Sequence, residues 1–140
     1  MSAAPTPALP GEAAAAGGRR LLAIVELGGY PNFGELYAAR GYRPTVVQSM
    51  RKALGALKKA PPDVIVAEFN YQSDFRDRTS NLESLLATLQ TRSPSTRVIV
   101  FYEREQAAHL ERLLRRFQVH ALLPFPVETA ALAEALDRLE

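Results

Sequence analysis

From Arg19 onward the chain alternates between two textures. Five apolar runs have strand length: LLAIVEL (residues 21–27), PTVVQS (44–49), DVIVAEF (63–69), RVIVFYE (97–103) and VHALLP (119–124). Helical spacing fills the gaps between them. Leu54 and Leu57 continue from Val47 and Met50. Leu82, Leu85, Leu86 and Leu89 stand at i, i+3, i+4 and i+7. Leu110, Leu113, Leu114 and Phe117 repeat that spacing, as do Leu132, Ala135, Leu136 and Leu139. Ser80 with Glu83 reads as a capping box and predicts that the third helix begins there. The first helix is the weakest, marked only by Phe33, Leu36 and Tyr37, with Gly34 lowering its propensity.

Five near-continuous apolar strands alternating with five helices predict an α/β fold: a doubly wound, five-stranded parallel sheet covered on both faces. In such sheets ligands gather outside the carboxyl ends of the strands. Glu26 ends the first strand, Glu68 the third, and Phe101 and Tyr102 the fourth, so all should face one crevice.

Composition narrows the function classes. A chain of 140 residues suits one domain, and 47% hydrophobic with 23% charged residues fits an ordinary soluble globule. There is no cysteine, which removes disulfides, thiolate nucleophiles and zinc–cysteine sites. A net charge of +2 does not by itself imply a nucleic-acid partner. No apolar run reaches the ~20 residues of a membrane span. Residues 1–18, MSAAPTPALPGEAAAAGG, are dominated by Ala, Pro and Gly without an apolar period. They read as a disordered tail before a domain at 19–140.

The order of elements and the stretch PPDVIVAEFN resemble the receiver domain of bacterial response regulators, the CheY-like branch of the flavodoxin-like folds. The resemblance covers residues 20–140. It places the family's phospho-accepting aspartate on Glu68, after Pro62-Asp63 and an apolar run, and its acidic pair on Glu26 and Leu27. The family's hydroxyl position falls on Phe101, its aromatic switch on His120, and its Lys-Pro on Leu123-Pro124, followed by Phe125. It further implies a cis bond before Pro124. The first helix is shorter than the family's, and the loop NYQSDFRDRTS after the third strand is longer.

Phosphoryl transfer to a carboxylate needs an in-line oxygen, a divalent cation and a group to take up charge. Glutamate reaches one methylene further than aspartate, and Leu27, Phe101 and Leu123 bring no charge. Phosphorylation is therefore not expected, nor is a cofactor or metal. Three readings of Glu68 follow. It is a strand-end carboxylate that reaches water or caps a helix amide; a fixed charge imitating a phosphorylated receiver; or a catalytic acid paired with Glu26. The first is preferred, because no His, Lys or Ser nucleophile stands at a strand end.

Other features are weighed against plain structural roles. LGGYPNFG (27–34) holds three glycines after the first strand, where nucleotide or flavin phosphates bind in related folds, but it lacks GxGxxG spacing and a phosphate-binding lysine. Lys58-Lys59 and ERLLRR (111–116) read as solvated helix faces, with Glu111–Arg115 and Glu105–His109 as i,i+4 pairs. Arg76, Arg78, Arg92 and Lys52 offer a basic edge without an aromatic platform, so nucleic acid is not the expected partner.

The expectation is a phosphorylation-independent, receiver-like module for protein–protein contact, cytoplasmic and bacterial, and not an enzyme. The alternative is a nucleotide- or flavin-binding domain using the glycine loop. In the resemblance, partners or a second copy meet the face of the fourth helix, fifth strand and fifth helix. Here that face carries Arg104, Glu111, Arg112, Arg115, His120 and Arg138.

Overall fold

The computed structural model describes residues 18–70 and 81–139. Five strands form one parallel sheet: β1 (Arg19–Ile24), β2 (Tyr42–Val47), β3 (Val64–Glu68), β4 (Arg97–Tyr102) and β5 (Ala121–Pro124). The order across the sheet is β2-β1-β3-β4-β5. Five helices connect them: α1 (Gly34–Ala39), α2 (Met50–Lys59), α3 (Glu83–Arg92), α4 (Ala107–Leu114) and α5 (Thr129–Arg138). A single 3-10 turn, Arg104–Gln106, leads into α4. This is the expected doubly wound architecture. The tail assigned to residues 1–18 lies, but for Gly18, outside the described residues, as do Arg76, Arg78 and Ser80.

Side-chain alternation along the strands builds two half-cores. Leu22, Ile24, Ile65, Ala67, Val98 and Val100 face α2, α3 and α4 with Leu57, Leu85, Leu110 and Leu113. Leu21, Ala23, Val64, Val66, Ile99 and Phe101 face α1 and α5 with Tyr37, Leu132 and Leu136. The helical stripes are the buried ones, so periodicity alone identified both the helices and their inward faces.

Four expectations need correction. The strand β2 is not covered on both faces: it is a sheet edge, Tyr42 is its one buried residue, and Val46 is 54% exposed. Helix α3 starts at Glu83 with Leu82 as N-cap, two residues later than a start at Ser80, and the capping box read on Ser80 falls with that residue outside the described residues. The cis bond is Phe125-Pro126, not Leu123-Pro124. Pro124 is still in register with Tyr102, and Phe125 N–H donates to Tyr102 C=O at 2.9 Å, so the strand runs straight past Pro124. Lastly, among the described residues the i,i+4 ion pair is Arg138–Glu134 at 3.3 Å rather than Glu111–Arg115.

Candidate functional site

The segment after β1 turns back on itself. Gly28 and Gly29 have φ of 73° and 86°, a left-handed pair that side-chain-bearing residues rarely adopt. The reversal makes successive backbone N–H groups converge, an arrangement that binds anions. The anion it holds is the chain's own Glu68. Leu27 N–H donates to Oε1 at 2.9 Å, and Glu26 N–H and Gly28 N–H donate to Oε2 at 3.1 and 3.2 Å. The Tyr30 hydroxyl adds a fourth donor to Oε2 at 2.6 Å. Glu68 is 2% exposed, so a charge that would be costly to bury is matched by charge-assisted hydrogen bonds.

This resolves the carboxylate at the end of a buried strand. It neither reaches water nor caps a helix; it is the ligand around which the β1–α1 loop is wrapped. The extra methylene of glutamate gives the reach across from β3.

Asn81 closes the far side. Its Nδ2 donates to Glu26 Oε1 at 2.6 Å and to Glu68 C=O at 2.7 Å, and its Oδ1 accepts from Asn70 N–H at 2.7 Å. Burial and the repulsion of Glu68 raise the Glu26 carboxyl above its ordinary range, against the opposing Asn81 bond. The Tyr30 phenol is raised too, by burial first and then by its bond to Glu68, and stays protonated as a donor.

Aromatic rings occupy the remainder. Tyr30 meets Phe101 edge-on at 5.0 Å between centroids and Phe125 at 5.9 Å, and stacks on Phe33 at 6.2 Å. Thus Glu26, Leu27, Glu68 and Phe101 come together, as strand-end positions must. Leu123, beside Phe101 in register, is buried in the core, and Phe125 brings the ring to the crevice instead. Tyr30, Asn81 and Phe125 are the site members that pattern reading missed. The one available signal was an aromatic directly after a Gly-Gly turn.

The donor set does not fit a divalent cation. Both Glu68 oxygens face N–H and O–H dipoles whose positive ends stand where a cation would sit. Among the described residues no group of three carboxylate or imidazole side chains is placed to hold a metal.

On the expected partner face, Arg104, Glu111, Arg112 and Arg115 are exposed, and Arg138 is paired with Glu134. His120 is half-buried, and its Nδ1 accepts from Val98 N–H at 3.0 Å, so its ring is committed to the sheet edge. Burial, then the nearby Arg97, lower its pKa.

No family model matches the chain, and no curated protein does. Solved structures match it well. The chemotaxis response regulator CheY4 of Vibrio cholerae has a TM-score of 0.68 at 18% identity, over 88% of this chain and 99% of that one. A response regulator receiver domain protein from Clostridium thermocellum has a TM-score of 0.67 at 16% identity, over 86% and 93%. A streptococcal protein, from a family described as redox sensors evolved from two-component response regulators, has a TM-score of 0.67 at 19% identity, over 87% and 51%. The chain therefore has the CheY-like receiver fold.

Proposed function

We propose that the chain is a receiver-like module that works without phosphoryl transfer, through protein–protein contact in a bacterial signalling or regulatory system. The observation that supports this most is the capture of Glu68 by three backbone amides and the Tyr30 hydroxyl. An oxygen so engaged is a poor in-line nucleophile, and Phe101 and Phe125 supply no charge for a transferring phosphoryl group. The same capture argues against imitation of a phosphorylated receiver, because the charge is matched internally and does not project outward. It also argues against the nucleotide or flavin alternative, since the amides that would receive a phosphate already hold a carboxylate.

The contact face is α4, β5 and α5. Leu122 is 37% exposed on the edge strand β5 and lines a surface cleft together with Glu134 and Arg138. An apolar centre with a charged rim is the usual anatomy of a transient interface. One of the similar structures is described as a redox sensor evolved from response regulators, a precedent for another input to this fold. The present chain has no cysteine, so a thiol-based input is not open to it. No helix among the described residues is long and apolar enough to cross a membrane.

The test is incubation with acetyl phosphate and magnesium, followed by intact-mass measurement, alongside affinity capture with wild-type and Leu122→Glu bait. No mass gain is expected, and the captured partner should be lost with Leu122→Glu. A stable adduct on Glu68 would overturn the proposal.

A further inference from the structure

Helix α1 has six residues and is therefore only ~9 Å long, whereas a six-residue strand such as β1 runs ~20 Å. The helix cannot cover the sheet face beneath it. Over the carboxyl half of β1 and β2 the β1–α1 loop joins α1 in the cover, and a cleft of about 370 Å³ remains between loop, helix and the β2 edge. That volume falls in the ~300–1,000 Å³ range of small-molecule sites.

Tyr30, Phe33 and Tyr37 line one side and Val46 the other, with the Asn32 and Gln48 amides also in the lining, and no charged side chain is among them. Tyr37 is 4% exposed and lines the cleft, where its hydroxyl can donate to a bound molecule. Asn32 Oδ1 already accepts from Gly34 N–H at 2.8 Å, which leaves its amide NH₂ to donate.

We infer that this cleft binds an uncharged aromatic or heteroaromatic molecule of one or two fused rings. The three rings offer faces and edges for stacking. The Tyr37 hydroxyl and the two amides select a ligand with hydrogen-bonding groups, and the absence of charged lining disfavours ions. Phosphate-bearing ligands are excluded further because Glu68 fills the neighbouring amides. Glu68 also fixes the position of Tyr30, so the wall is formed before the ligand arrives. Since Tyr30 belongs to both the cleft and the Glu68 cluster, occupancy should be felt at Leu27 and Asn81. The module would then take its input from a small molecule rather than from phosphate.

The experiment is a titration of the isotopically labelled full chain, followed by amide NMR shifts. Indole and benzamide are the uncharged probes; AMP and FMN are the phosphate-bearing counter-probes. Saturable shifts are expected at Tyr37, Val46 and Gln48, with relayed shifts at Leu27 and Asn81, for the uncharged probes. Tyr37→Phe should weaken benzamide about tenfold, the scale of one lost hydrogen bond. Val46→Trp, made at an exposed edge position, should fill the cleft and abolish binding while the remaining spectrum stays folded. The inference is overturned by absence of saturable shifts, by shifts that persist in Val46→Trp, or by tighter binding of AMP or FMN. The α4–β5–α5 face takes no part in this titration, so a negative result here leaves the partner-face reading standing.

Discussion

The Tyr30 hydroxyl donates to Glu68 across 2.6 Å, joining a loop that follows β1 to the end of a strand 38 residues later. Three backbone amides hold the same carboxylate, but a side-chain donor can be removed without altering the backbone. Tyr30→Phe keeps the ring against Phe101 and Phe125 and deletes only the donor. Hydrogen bonds to charged groups are worth ~1.5–3 kcal/mol, so urea unfolding should show a loss of that size. A variant as stable as the wild type would mean that water replaces the bond at no cost.

Glu68 itself should be more sensitive. Glu68→Ala leaves three amides and a phenol without their acceptor, and a destabilisation of ~3 kcal/mol or more is expected. Glu68→Asp should also melt below the wild type, because the carboxylate is one methylene short of the amides. It should still gain no mass from acetyl phosphate and magnesium, since among the described residues no group of side chains is placed to hold the cation, and Phe101 and Phe125 bring no charge. Calorimetry and mass spectrometry on the same preparation check both halves.

Glu26 and His120 pull stability in opposite directions with pH. Glu26 has a folded pKa above its ordinary 4.5, chiefly through burial. Its favourable contribution is complete below that value and disappears as pH rises through the folded pKa. Glu26→Gln keeps an oxygen for Asn81 and no charge beside Glu68. It should melt higher than the wild type at neutral pH, with the gap closing below pH 4.5.

For His120 the sign reverses. Its folded pKa lies below the ordinary 6.5, because the neutral ring accepts from Val98 N–H in a partly buried position beside Arg97. The contribution is complete above 6.5 and is lost as pH falls through the folded value. His120→Phe should cost ~1–2 kcal/mol at pH 7.5 and flatten the acid limb of a melting-temperature profile. An unchanged acid limb would assign the pH response to another group.

Arg112 and Arg115 are exposed on α4, while Leu110 and Leu113 on the same helix are buried in the core. Reversing both arginines to glutamate should therefore leave the melting temperature nearly unchanged. Exposed ion pairs give only ~0.2–1 kcal/mol each, so any complex on this face should be weak and salt-sensitive. Sedimentation velocity at low and high salt should show association in the wild type and none in the variant. Association that survives charge reversal would move the interface elsewhere.

The fold was legible because burial writes periodicity: Leu82, Leu85, Leu86 and Leu89 could only be one face of a helix, and Val64 to Ala67 only a strand covered on both sides. What escaped depends on tertiary placement. A run such as Thr45-Val46-Val47 reads alike at a sheet edge and at its centre. The cis bond, expected before Pro124 from the resemblance, lies before Pro126 instead, after a strand ladder that continues to Phe125. Glu68 was visible as an oddity, yet its partners are backbone amides, which no sequence displays. Tyr30 and Asn81 come from segments without period, so nothing in spacing links them to a carboxylate on β3.

Holding Glu68 inside its own loop also constrains how this domain can change. In a phosphate-accepting domain of this fold the acid at this position would be a chemical reagent; here the carboxylate is held by three amides and a phenol as a structural strut. Replacing it with aspartate removes the strut before it creates a reagent, and an acid at Leu27 would bring charge to a crevice lined by rings. Engineering that begins from this scaffold will go further by reshaping the outer surfaces and the aromatic cleft than by reviving the chemistry of the crevice.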